Sequence, residues 1–125
     1  MKALTVRQPY ATEIIRGRKT LEVRSRPTTR RGPLAIHAAQ AAADGWEWEE
    51  GGEAEFPRGV VMGTVNVTGC RPFTPADVGA AYMLPEEFCE GLWAWELAEP
   101  RAVKQFPAKG KLNLWQLDEA LLQTP

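Results

Sequence analysis

Gly17-Arg18-Lys19-Thr20-Leu21-Glu22-Val23-Arg24 is the stretch on which the reading of this chain turns. Upstream of it, Tyr10 to Arg16 carries Ala11, Ile14 and Ile15 at helical spacing, and Pro9 occupies a first helical position. A glycine just past the last apolar residue, with Arg16 and Arg18 beside the negative end of the helix, is a stop signal, so the backbone leaves in a new direction at Gly17. Downstream, Leu21 to Arg24 alternates apolar and charged residues as a half-buried strand does. Leu21 and Val23 share one face; Thr20, Glu22 and Arg24 share the other. A helix, a glycine turn and a strand thus bring one ammonium, one carboxylate and one guanidinium to the same sheet edge.

Working outward, short strands are expected at Ala3 to Val6, Leu34 to Ala38, Val60 to Val67, Leu92 to Leu97, Ala102 to Gln105 and Leu114 to Leu117. Gly63 inside the third of these reads as a bulge or a point of close approach. Thr74-Pro75 opens a helix through about Tyr82, Leu84 to Glu90 reads as a second short helical turn, and the acidic stretch Gln40 to Phe56 has room for one more. Pro27 to Pro33 is a basic loop, and Asp118 to Leu122 a terminal turn. Strands outnumber helices and are short. The expectation is an α+β fold, a small mixed β-barrel of about five or six strands with two to four short helices covering its ends.

At 125 residues the chain reads as one domain over 1–125, and 44% hydrophobic with 25% charged residues is the balance of an ordinary globular protein. No apolar run approaches the roughly 20 residues of a membrane helix, and Met1-Lys2 leads into a strand rather than a signal sequence, so no membrane partner and a cytoplasmic location are expected. Cys70 and Cys89 lack metal-site spacing and read as reduced thiols. No dinucleotide fingerprint, P-loop or Ser-His-Asp pattern occurs, so no cofactor or metal is expected. His37 sits in an apolar strand and reads as a structural residue.

The net charge of −1 conceals sorted charges. Residues 1–31 hold nine Lys or Arg against Glu13 and Glu22; residues 44–55 and 77–99 hold six acids each and no base; residues 101–111 return four bases and no acid. If the two basic segments adjoin, the protein presents a positive face suited to a phosphate-bearing partner, RNA or a nucleotide. The alternative is that each cluster is solvated on its own.

The signature segment makes chemical sense for such a partner. Arg24 suits bidentate phosphate contact or base stacking, Lys19 contacts phosphate or, if burial lowers its pKa, acts as a base, and Glu22 accepts from a base edge or holds the two cations. The bland reading is an ion-pair network that binds nothing. Gln8 and Tyr10, in the loop before the first helix, offer an amide and an aromatic face, against a capping role. Arg26 extends the basic strand end, and Lys109 and Lys111 flank Gly110 in a loop that suits phosphate contact or an ordinary turn. Trp93 and Trp95 read as core, and Trp46 and Trp48 as edge packing within an acidic loop.

The octet Gly17 to Arg24 also matches GxKxxExR, and the chain resembles the ASCH domains, which are PUA-like in fold. Val6-Arg7-Gln8-Pro9-Tyr10-Ala11, the Arg31 to Ala38 strand, Trp93-Ala94-Trp95-Glu96-Leu97 and the closing Pro107 to Lys111 with Leu114-Trp115 look like landmarks of the same family. The resemblance implies a small β-barrel with a cleft lined by the signature and a role in binding RNA or a nucleotide. It leaves enzyme activity open. One ASCH subgroup is similar to amidohydrolases that deacylate acetylated cytidine with a lysine and a threonine in this signature. Here Lys19 is kept, but the threonine position is Glu22, and Thr20 is displaced by two residues. A ribonuclease-like hydrolase with Lys19 and Glu22 in acid–base roles is the other catalytic alternative, and an adaptor using the acidic flank a third.

Overall fold

A computed structural model describes residues 1–125. The chain runs β1 (Lys2–Gln8), α1 (Tyr10–Ile15), β2 (Leu21–Arg24), β3 (Gly32–Ala42), β4 (Val60–Pro72), β5 (Trp93–Pro107) and β6 (Leu114–Gln116), with four single 3-10 turns at Gly52–Ala54, Pro75–Asp77, Pro85–Glu87 and Glu119–Leu121. The strands form one six-stranded sheet in the order β2-β5-β4-β3-β1-β6. All neighbours are antiparallel except β1 and β3, which run parallel, so the sheet is mixed as expected. It is not hydrogen-bonded into a closed barrel, because no ladder joins the terminal strands β2 and β6.

The failure to close has a local cause. β6 pairs only with Lys2, Ala3 and Leu4 of β1, so beyond Leu4 that edge of β1 has no strand beside it. The sheet nevertheless curls far enough for Arg24 Nη2, at the end of β2, to donate to the Thr5 carbonyl across the seam at 3.2 Å. A side chain takes up one backbone acceptor that a strand would otherwise have satisfied.

Inside the curl lies a core that includes Leu4, Val6, Leu34, Ile36, Val65 and Trp95, sealed by Ala11 and Ile14 of α1. Burial of an isoleucine such as Ile14 contributes about 1.5–3 kcal/mol, enough to hold a helix too short to persist alone. Gly17 ends α1 as its sequence position implies. With φ at +78° it lets Gly17 N–H bond to the Ile14 carbonyl and Arg18 N–H to the Glu13 carbonyl, a Schellman stop. Lys19 N–H also reaches the Glu13 carbonyl, at 3.0 Å, which fixes where the Lys19 side chain departs.

Three expectations are corrected. The segments Leu92 to Leu97 and Ala102 to Gln105 are one strand, β5, because Glu99 at φ +51° and Pro100 are absorbed as a bulge between the Asn66–Ala98 and Thr64–Arg101 pairs. The helix from Thr74 to Tyr82 shrinks to Pro75–Asp77, capped by Asp77 on the Thr74 N–H and hydroxyl, and Tyr82 at φ +62° turns the chain away. The turn at Leu84 to Glu90 likewise shrinks to Pro85–Glu87. Gly63 is the close-approach point anticipated: a Cβ there would lie 2.2 Å from the Arg101 carbonyl oxygen.

Candidate functional site

The seam between β2 and the unpaired edge of β1 opens into a cleft of about 600 Å³. Thr5 to Arg7 form one wall, Glu22 to Ser25 the other, and Tyr10, Lys19, Ala81 and Met83 line its interior. Lys111, Leu112 and Asn113 cross the end where β6 stops. The shape follows from the sequence locally: the Gly17 turn delivers Lys19, and the alternation of β2 sends Glu22 and Arg24 to the same face.

The floor is polar and buried. The side chains of Lys19 and Glu22 are only 4% and 8% exposed. Lys19 Nζ donates to the Ala81 carbonyl at 2.7 Å, lies 3.5 Å from Glu22 Oε1 and sits 5.1 Å from the centroid of the Tyr10 ring. Arg24 donates from Nε to Glu22 Oε2 at 2.9 Å, and its Nη2 forms an ion pair with the same oxygen at 2.7 Å. One carboxylate therefore binds two cations, one through each oxygen. Lys19 keeps one N–H, and Arg24 its Nη1, outside these bonds.

Burial pushes the Lys19 ammonium below its ordinary pKa, and Glu22 pulls the other way, reinforced by their hydrogen bond; Arg24 adds a smaller downward push. Desolvation outweighs the carboxylate, so the net shift is downward. The Tyr10 hydroxyl is pushed up by burial and then by the negative charges of Glu87 and Glu22. Glu87 also accepts from the Leu84 N–H at 2.7 Å and so pins the turn that forms the cleft's far rim.

Tyr10, Lys19, Glu22, Arg24 and Lys111 thus meet in one place, and Gln8, Arg26 and Lys109 do not join them. Gln8 is fully buried: its amide donates to the Pro57 carbonyl at 2.7 Å and its oxygen accepts from the Thr12 N–H at 3.0 Å, leaving it to brace the start of α1. Arg26 and Lys109 lie in hollows on either side of the cleft. Thr20 is exposed and belongs to a separate hollow with Gly17 and Pro100. Arg7, Asp44, Met83 and Glu87 also line the cleft, although the sequence singles out none of them as a site residue. Arg7 belongs to the basic segment of residues 1–31, whereas the other three arrive from loops distant in sequence with no local signal.

The single positive face is only partly formed. Arg16 bonds Glu55 at 2.7 Å, Arg18 bonds Glu13 at 2.8 Å, and Arg101 lines a different hollow with Asn66 and Glu99. From the second basic segment, Lys111 reaches the cleft and Lys109 the hollow beside it. His37 is structural: the Trp115 indole donates to the Thr5 hydroxyl, that hydroxyl donates to His37 Nδ1, and Nε2–H donates to the Ala108 carbonyl at 2.7 Å. Trp95 is core, and Trp46 packs edge-on against Trp48 and Phe56. No group of three or more His, Cys, Asp or Glu is placed to hold a metal ion, and no helix is long and apolar enough to cross a membrane.

Comparison with known proteins adds the following. A family model described as the ASCH domain matches residues 4–107. Among solved structures, the chain is similar to a crystal structure of ASCH from Zymomonas mobilis, with a TM-score of 0.70 and 15% identity over 98% of this chain and 96% of that one. Tyrosine-to-phenylalanine and serine-to-alanine mutants of the Zymomonas mobilis protein give TM-scores of 0.67 and 0.64, each at 13% identity. They cover 98% and 94% of this chain, and 98% and 88% of theirs. No curated protein matches the chain.

Proposed function

The chain belongs to the ASCH domain family, and from that premise we propose that it binds RNA, drawing one nucleotide into the cleft between β2 and the free edge of β1. The observation that carries the reading is a buried polar floor beneath an exposed cationic rim. On the floor, the spare N–H of Lys19, the spare Nη1 of Arg24 and the remaining lone pairs of Glu22 offer donors and an acceptor to a base edge. At the rim, Lys111 is exposed without an acidic partner and Arg7 is exposed 3.7 Å from Asp44, both placed for a phosphate, and Tyr10 and Met83 supply surface for the base or ribose. The buried Glu22 carboxylate on the floor disfavours a phosphate lodged deep inside, so the base goes in and the phosphate stays out.

A second reading, RNA hydrolysis with Lys19 and Glu22 in acid–base roles, draws on the burial that pushes Lys19 toward neutrality. Deacylation of an acetylated cytidine has less support: Glu22 occupies the hydroxyl's place, and Thr20 stands outside the cleft. The protein acts in the cytoplasm, as one unit, on this reading.

The test is incubation with short single-stranded RNAs, nucleotides and acetylated cytidine, measuring retention and turnover together. The expected result is retention without turnover, weakened at least tenfold, about 1.4 kcal/mol, by Lys19→Met. No retention at low salt overturns the binding reading; turnover lost in Lys19→Met moves the second reading into first place.

A further inference from the structure

The cleft does not end at its own walls. On one side it shares Arg24, Ser25 and Asn113 with a hollow of about 380 Å³ that also holds Arg26 and Thr28. On the other it shares Thr5, Ala39, Lys111 and Leu112 with a hollow of about 750 Å³ that holds Lys109, His37 and Gln40. The three depressions therefore form one channel along the unclosed seam of the sheet.

The charged residues of the two flanking hollows are all of one sign. The sequence contains 16 Asp and Glu, yet none lines either flanking hollow. In the central cleft Arg7 and Arg24 are paired with Asp44 and Glu22, whereas Arg26, Lys109 and Lys111 have no acidic partner. Cations without acidic partners at both ends of the channel are what a polyanionic backbone requires, and a lone nucleotide in the middle would leave them unused.

One further residue fits a strand. Leu112 is 90% exposed, rests on the crest between the cleft and the Lys109 hollow, and belongs to no core cluster. An apolar side chain standing at the boundary of two stations can wedge between successive bases, sending one into the cleft and the next onward. Gly110, just before it, permits this course: a Cβ at Gly110 would lie 2.5 Å from the Thr5 hydroxyl and 2.8 Å from the His37 ring, so the loop presses onto β1 and β3 and lifts Lys111 and Leu112 to the rim.

We propose that the seam is a track for at least three consecutive nucleotides of single-stranded RNA, with the central one in the Lys19 cleft, its neighbours beside Arg26 and Lys109, and Leu112 separating two of the bases. This rests on the reading that the cleft takes a nucleotide and adds the class of ligand, an oligonucleotide rather than a mononucleotide.

Binding of the four ribonucleoside 5′-monophosphates and the matching homopolymeric tri- and hexanucleotides, measured across a salt series, tests it. Affinity should climb steeply from mono- to trinucleotide and little thereafter, with the slope of log Kd against log salt steepening by about 0.7 for each further phosphate neutralised. Arg26→Ala and Lys109→Ala, each at an exposed position, should lower the ratio of trinucleotide to mononucleotide affinity about fivefold, the effect of losing one ion pair worth about 1 kcal/mol. Leu112→Ser should lower the same ratio without changing the salt slope. Equal affinity for mono- and hexanucleotides, or variants that leave the ratio unmoved, overturns the track while leaving the nucleotide cleft standing. Absence of binding by every probe overturns both.

Discussion

Replacing Glu22 with glutamine keeps the shape of the cleft floor and removes its only buried negative charge. Lys19 Nζ lies 3.5 Å from one carboxylate oxygen and Arg24 Nη2 2.7 Å from the other, so the neutral amide can accept from one cation but must turn its NH2 toward the other. Arg24 is 31% exposed and recovers hydration; Lys19, 4% exposed, does not. Breaking a buried pair in this way costs about 3 kcal/mol or more, and for a chain of this length that lowers Tm by about 10 °C. The pH dependence identifies the cause. Without Glu22 the Lys19 pKa falls further below its unfolded value, so between those two values the unfolded chain binds more protons than the native one, and stability rises with pH. Urea denaturation at pH 7 and pH 9.5 should therefore show the gap between Glu22→Gln and the parent narrowing at the higher pH. Adding Lys19→Met to Glu22→Gln should recover part of the loss, because the stranded ammonium is gone. A cost below about 1 kcal/mol at pH 7, the range of an exposed pair, with no change at pH 9.5, refutes the desolvated triad.

Further outcomes follow from other contacts. Gly63→Ala would drive a methyl group into the Arg101 carbonyl and Ile15 Cδ1, and should destabilise by about 2–3 kcal/mol in urea melts; a neutral substitution means β4 and β5 approach less closely. Burial holds the His37 imidazole pKa below its ordinary value, so stability is complete above about pH 6.5 and declines as pH falls toward the lower folded value. His37→Gln should flatten this part of the urea-midpoint profile between pH 5 and 6.5, and an unchanged slope contradicts the hydrogen-bond chain through Thr5 and Ala108. Thr20→Ala should leave RNA retention and any turnover within error, since Thr20 lies outside the cleft; a tenfold loss of either would return that hydroxyl to the chemistry.

Much of the site can be read from eight consecutive residues because its geometry is local. The Gly17 stop and the two-residue alternation of β2 need no knowledge of the remaining chain, and they place Lys19, Glu22 and Arg24 together. What cannot be read is what comes to meet them. The Ala81 carbonyl that accepts from Lys19 Nζ, and Glu87 that shifts Tyr10, belong to turns with no periodicity, positioned by packing of Phe73 and Ala81 against Leu21. Desolvation of Lys19 is a property of that packing, so the condition on which its pKa falls is not visible in the local sequence. Gln8 misleads for a related reason: its partner Pro57 is 49 residues away, and an amide before a helix looks the same whether it faces a ligand or braces a loop. The proline after Glu99 signals a strand break that a bulge makes unnecessary.

Everything proposed for this cleft depends on a nucleotide lying between β1 and β2 with its base edge on Lys19, Glu22 and Arg24. Isotope-labelled protein titrated with a short single-stranded RNA, and followed by its backbone amide and side-chain resonances, reports on that placement residue by residue. The largest shifts are expected at Tyr10, Lys19, Arg24 and Lys111, including the Arg24 Nε–H, with the aromatic cluster of Trp46 and Trp48 unmoved. Shifts confined to residues outside the seam, or none at RNA concentrations that saturate retention, would contradict it.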